Sequence, residues 1–299
     1  MEHNNEQLEA LRNAMGDNNA QFINGEDTFD FQCQQCGQCC MHRTDIILNP
    51  FDIYNGSRYL GIEPSEFLMN YTEPTIGRNS KIPMITLKCD DRGYCPLLKL
   101  DIKDGCKFKC SINPAKPGAC ANHPIGVIMS FEKNTNKIDY EYVKVEQCEN
   151  SKNHNQINKV SDWCKNYEAN KNEIMIAHRM QTIVENYFPC RVFEGIMNIL
   201  IDSKRDGKDL EEFKKEAAND IIVKTYLAFN TKYLSLLYGN YDISKPFIPQ
   251  AEENLKNIEE NLLIPIKKLL IEICTEMPEN IVETMKDVFG DNCLDFMNN

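Results

Sequence analysis

Basic residues are the scarcer charge in this chain. Its 299 residues include 33 Lys and Arg against 45 Asp and Glu, a formal net charge of −12. That balance argues against a nucleic-acid binder, which normally shows a basic face, and against docking on anionic lipid. No apolar run approaches the roughly 20 residues of a membrane span. The most apolar late stretch, NLLIPIKKLLIEIC, is broken by Pro265, Lys267 and Lys268, so no membrane segment is expected. No basic segment followed by an apolar run opens the chain, so no secretory leader is expected either. A cytoplasmic location follows as the expectation, and there thiols stay reduced.

Catalytic fingerprints are scarce too. There is no Gly-x-Gly anywhere, which removes the usual dinucleotide-binding turn. Neither a P-loop nor an HExxH helix occurs. Cys36 and Cys40 have the first gap of the Cys-x3-Cys-x2-Cys loop of radical S-adenosylmethionine enzymes, but position 43 is arginine. No Ser/His/Asp arrangement can be argued from spacing.

Cysteine is what the chain has in excess: 14 residues, unevenly spread. Ten (Cys33, Cys36, Cys39, Cys40, Cys89, Cys95, Cys106, Cys110, Cys120, Cys148) precede residue 150, and four (Cys164, Cys190, Cys274, Cys293) follow it. In a reducing compartment such an excess points to metal or cluster ligation rather than to disulfides. The stretch FQCQQCGQCCMHR, Phe31–Arg43, packs four thiols into eight residues. Crowded thiolates repel, and a bound cation both deprotonates and neutralises them. The two-residue gap between Cys33 and Cys36 lets both sulfurs face one metal, and Gly37 can take the left-handed turn that follows. Cys39 continues the three-residue rhythm of ferredoxin-type loops. Adjacent side chains tend to diverge, so Cys39 and Cys40 are expected to serve different metals or to grip one polynuclear centre from two sides. Cys95-Pro96 is similar to the step that supplies a remote ligand in ferredoxins. Cys110, Cys120 and Cys148 complete the set. Cys89, Cys106, His42 and His123 are adjacent candidates, as ligands or as hydrogen-bond donors to ligands. The four late cysteines read as small buried hydrophobes.

The fold expected is α+β and predominantly helical. Residues 1–28 read as a loose tail, 29–150 as a cysteine-rich metal-binding module and 151–299 as a helical domain. Asn49, Pro50 and Asp52 mark a helix start. Residues 74–120, rich in Pro, Gly and Cys, read as loops and short pieces. VIMSFEKNTNKIDYEYVKVE alternates as a β-hairpin. Helices are expected near 157–187, 190–205, 209–238, 250–275 and 278–289. Trp163 reads as packing at the edge of the module. His178 reads as a core residue, and Glu141, Tyr142 and Lys144 as a solvated strand face.

The series CQQCGQCC, NPFDI, YCPLL, CSINPAKPGAC and VEQC resembles the CxxCxxCC family of zinc- or iron-chelating proteins, also called YkgJ-type cysteine cluster proteins. The resemblance covers about residues 29–150. It implies eight ligands: Cys33, Cys36, Cys39, Cys40, Cys95, Cys110, Cys120 and Cys148. Lys116-Pro117 stands where the family usually has Arg-Pro, and His123-Pro124 where it often has an aromatic residue before proline. One branch resembles flagellin lysine N-methylases, which use S-adenosylmethionine; on that analogy a protein or peptide would be the substrate. Three functions are therefore weighed: an iron–sulfur protein, with two [4Fe–4S] clusters or one larger centre and a redox or catalytic role; a structural zinc module; and a protein lysine methyltransferase. The three-residue rhythm and the Cys-Pro step favour iron–sulfur.

Overall fold

The computed structural model describes residues 21–77, 83–102, 107–132, 137–145, 155–185 and 220–276, with isolated positions between them and up to 290. The protein is α+β, with small sheets and helices concentrated in the C-terminal part. No described helix is long and apolar enough to cross a membrane. The chain divides into two compact units. Unit 1 takes Met1–Ile47 and Leu87–Lys171, and unit 2 takes Leu48–Thr86 and Asn172–Asn299. The cysteine-bearing unit is thus interrupted by a segment that folds with the C-terminal helices.

Unit 1 is built on short antiparallel pairings. β8 (Ile125–Glu132) and β9 (Lys137–Lys144) form the expected hairpin, with Val127 opposite Tyr142 and Phe131 opposite Ile138. Its turn lies outside the described residues. β1 (Gln21–Ile23), from the segment read as a tail, adds to the free side of β9, with Phe22 opposite Val143. β2 (Thr28–Asp30) pairs with β10 (Ile157–Lys159).

That second pairing explains why no helix starts at 157. The backbone of 157–159 is committed to β2, and the Asn158 side-chain amide donates to the carbonyls of Phe31 (2.8 Å) and Gln156 (3.0 Å). Asparagine readily diverts backbone groups from helix in this way. Helix resumes only as the short α4 (Val160–Trp163) and α5 (Lys165–Ala169), then the longer α6 (Lys171–Glu185).

The core of unit 1 gathers Phe29, Phe31, Ile125, Tyr142, Val160 and Cys164, with Trp163 packed against it. Trp163 meets Phe29 (5.6 Å between centroids, 88°) and Phe31 (5.4 Å, 79°) edge to face. That geometry suits the ring quadrupoles.

Unit 2 starts at α1 (Pro50–Leu60), where the sequence signal is realised in full. The Asn49 side chain accepts from the Asp52 amide (2.9 Å), and the Asp52 carboxylate accepts from the Asn49 amide (3.0 Å), a closed capping box. α2 (Pro64–Tyr71) packs on α1 at Gly56, where Phe67 is fully buried. A three-stranded sheet places β5 (Pro83–Leu87) between β3 (Ile47–Leu48) and β4 (Thr72–Ile76).

Helices α7 (Ile221–Leu234), α8 (Phe247–Ile258) and α9 (Ile264–Thr275) follow, with π-helical turns at Ser235–Gly239 and Glu259–Leu263. Phe51, Tyr54, Tyr241 and Phe247 form an aromatic cluster inside this unit, and the Tyr54 hydroxyl donates to the Lys245 carbonyl (2.6 Å). The helix expected at 190–205 lies almost wholly outside the described residues, and of 278–289 the described positions 279, 282, 283, 286 and 287 are helical.

Candidate metal centre

Local backbone rules shape the first cysteine loop. Gln35 (φ 54°) and Gly37 (φ 79°) both take left-handed conformations, which turns the chain twice between Cys33 and Cys39. Gly37 also lets the loop lie against Phe108: a Cβ there would sit 3.1–3.3 Å from that side chain. A 3₁₀ turn over Gln38–Cys40 follows, closed by the Cys40 amide donating to the Gly37 carbonyl (2.8 Å).

Two backbone bonds fix the loop to the rest of the unit. The Phe108 amide donates to the Gln35 carbonyl (2.9 Å), and the Cys95 amide to the Cys40 carbonyl (2.9 Å). Phe108 lies on β7 (Lys107–Cys110), which pairs with β6 (Leu98–Asp101) so that Cys110 stands opposite Leu98. Cys95 and Cys110 are thereby brought beside the first loop from about 60 residues downstream. Cys120 sits on the short helix α3 (Gly118–Asn122). The Trp163 indole N–H donates to the carbonyl of Asn122 (2.9 Å), which fixes the end of that helix to the core.

Cys33, Cys36, Cys39, Cys40 and Cys110 border one cavity of about 340 Å³, together with Phe31, Phe108, Lys116 and His123 among others. Cys95 and Cys120 do not border it, but both lie close enough to Cys40 to oppose its ionisation. Cys89 donates to the Arg43 carbonyl at 3.6 Å. Cys148 and Cys106 lie outside the described residues. Among the described residues, no group of three or more His, Cys, Asp or Glu side chains stands arranged around one ion position.

Cys39 and Cys40 do not diverge as expected. Their sulfurs lie 3.9 Å apart and share a hydrogen bond. The 3₁₀ turn, tighter than a strand, brings the two side chains together. The contact from Cys40 draws the Cys39 thiol down to about 6; burial opposes this, while the nearby Lys116 and Arg43 assist it. The same contact and burial push Cys40 up. The contact thus favours the thiolate at Cys39 and the thiol at Cys40.

Burial raises the Cys95 and Cys110 thiols, and backbone amides work the other way: those of Leu97 and Leu98 favour the Cys95 thiolate, and that of Ile112 favours the Cys110 thiolate. Backbone N–H groups directed at sulfur are what a ligating thiolate needs from its surroundings.

His42 is used elsewhere. With φ 52° it covers the Asp90–Gly93 turn, and its amide donates to the Gly93 carbonyl (2.6 Å). His123 borders the cavity with its ring edge-on to Phe31 (6.0 Å, 80°). Burial first, then Arg43 and Lys116, lower its pKa to about 4, so the imidazole is neutral at physiological pH. Sequence reasoning met Arg43 and Lys116 only as departures from motifs, not as charges beside the cysteines. The available signal was two basic residues inside a cysteine series.

Residues 32–164 match the family model CxxCxxCC, described as a "putative zinc- or iron-chelating domain". The match spans 133 of the 299 residues and all eight cysteines read as ligands. Neither the curated proteins nor the solved structures hold a significant match to the chain. The description of that model supports metal binding, and the matched segment ends at Cys164, the residue that caps the short helix carrying Trp163.

Proposed function

We propose that the matched segment holds an iron–sulfur centre with a redox or catalytic role, ligated from the set Cys33, Cys36, Cys39, Cys40, Cys95, Cys110, Cys120 and Cys148. One observation carries the reading: five cysteines border a single cavity of about 340 Å³. That is one thiolate more than a tetrahedral zinc site takes, and Cys95 and Cys120 stand near Cys40 besides. The donor set also fits such a centre chemically. Soft thiolates select iron–sulfur clusters, zinc and copper(I), Lys116 and Arg43 lie beside Cys39 to balance accumulated negative charge, and backbone amides favour the Cys95 and Cys110 thiolates. When bound, the centre supplies one-electron redox chemistry or a Lewis-acidic iron. The chain's own contribution is to gather the sulfurs and to wall them with Phe31 and Phe108.

A second reading, one zinc ion per Cys₄ site, is favoured by the Cys39–Cys40 distance. Two sulfurs each 2.3 Å from a tetrahedral ion lie about 3.8 Å apart, close to the 3.9 Å observed. Transfer of a methyl group from S-adenosylmethionine to a protein lysine is a third reading and rests on the resemblance alone. A thermal-shift titration with the cofactor tests it.

Anaerobic purification followed by iron, zinc and acid-labile sulfide analysis decides among the metals. Iron with stoichiometric sulfide and broad visible absorption is the expected result. A colourless protein with zinc and no sulfide overturns the iron–sulfur reading in favour of the second.

A further inference from the structure

Two buried polar side-chain atoms of unit 1 have no hydrogen-bond partner among the described residues: Gln35 Oε1 and His123 Nε2. Both residues border the cysteine-lined cavity. A polar atom taken out of water and left unpaired costs free energy, so such atoms are rare and call for an explanation. Two of them on one cavity wall point to a bound group that completes both.

The two atoms suit different groups. An amide oxygen is a hard donor, fitted to magnesium or calcium, whereas imidazole nitrogen suits zinc and iron and combines freely with thiolates. His123 is also held in place without help from its own polar atom. Phe31 packs edge-on to its ring, and the Trp163 indole N–H fixes the carbonyl of Asn122, the residue before it. Packing, with no hydrogen bond at Nε2 among the described residues, positions this ring.

We propose that His123 is a ligand to the metal centre through Nε2, which makes the centre a mixed cysteine–histidine site. This rests on the metal-centre reading above. A neutral imidazole in place of a thiolate removes one negative charge from the ligand set. In an iron–sulfur centre that raises the reduction potential, as it does where histidines replace two cysteines on one iron. Gln35 Oε1 is left as an acceptor for a donor inside the cavity.

The test uses the full-length chain labelled with ¹⁵N-histidine, loaded anaerobically with iron and sulfide or separately with Zn²⁺. In the wild type we expect a histidine-nitrogen coupling in the pulsed EPR of the reduced iron form. In the zinc form we expect a nitrogen shell at about 2.0–2.1 Å by X-ray absorption. His123→Phe should lose that nitrogen signal and bind Zn²⁺ more weakly by about tenfold or more. His123→Cys should restore binding, with sulfur in the nitrogen's place and a lower potential in the iron form.

Metal-loaded wild type with sulfur ligation only, or a nitrogen signal that persists in His123→Phe, overturns the histidine ligand and leaves the metal centre standing. Wild type that takes up neither metal overturns both. Should His123→Phe fail to fold, the wild-type nitrogen signal and the His123→Cys variant decide the question without it.

Discussion

Phe31→Ala probes the corner from which the first cysteine loop hangs. Phe31 is 4% exposed, touches Phe29, Trp163 and His123 with its ring, and precedes Cys33 by two residues. Truncation removes about 2–3 kcal/mol of apolar transfer. It also removes an edge-to-face contact with Trp163 worth on the order of 1 kcal/mol, and leaves a cavity. The sum is about 3–5 kcal/mol, the usual cost of Phe→Ala in a core. A small domain has only about 5–15 kcal/mol in total, so the metal-free variant should stand close to unfolding. Phe31→Leu keeps most of the volume and should cost less than about 1.5 kcal/mol.

The chain offers its own assay. Trp163 is the single tryptophan and lies in unit 1, so its emission during a urea titration of metal-free protein follows that unit alone. A Phe31→Ala midpoint within about 0.5 kcal/mol of wild type would refute the reasoning, because the ring would then contribute nothing to holding the loop.

Three further outcomes are expected. Cys36→Ala should lose bound metal by elemental analysis, whereas Cys274→Ala, buried in unit 2, should retain the wild-type content; equal content in both would remove Cys36 from the ligand set. Gly56→Ala gains about 1 kcal/mol of helix propensity, but its Cβ would lie 2.7 Å from Phe67 Cε2 and 3.0 Å from Cζ; overpacking of about 1–3 kcal/mol should win, and a raised melting temperature would show that the Phe67 ring yields. Burial lowers the His178 pKa. The folded state therefore binds fewer protons than the unfolded one, and stability falls as pH drops below the unfolded value of about 6.5, by at most about 1.4 kcal/mol per pH unit; His178→Phe should flatten that loss in urea titrations followed by circular dichroism, and an unchanged slope would place the cause in another group.

What could be read from the sequence was local. Asn49, Pro50 and Asp52 sit within four residues, and the capping box they form needs nothing from elsewhere. The β8–β9 hairpin is likewise written in alternating residues around one turn. Cys39, Cys40 and Cys110 were legible as candidates from spacing and resemblance, but not how they meet; what brings them together is the Gln35–Phe108 and Cys40–Cys95 backbone bonds, which carry no side-chain signature.

Residues 157–159 show the limit from the other side. Their apolar spacing suits a helix, but strand β2 lies about 130 positions earlier in the chain and takes their backbone instead. A three-residue strand such as β1 is too short for any alternation to mark it. The 3.9 Å approach of Cys39 and Cys40 depends on a single 3₁₀ turn, which a rule about adjacent side chains cannot anticipate.

The interruption of the cysteine-bearing unit by Leu48–Thr86 has a consequence for biosynthesis. About 85 residues, 87 through 171, leave the ribosome between that insert and the helices it packs with. At 5–20 residues per second this is a wait of about 4–17 s. Only at its end does the cysteine-bearing unit have its whole sequence made, because Cys95, Cys110, Cys120 and Cys148 all lie in those 85 residues. The insert, with Phe51 and Tyr54 not yet covered by Tyr241 and Phe247, stays a nascent apolar segment in need of a chaperone or of speed.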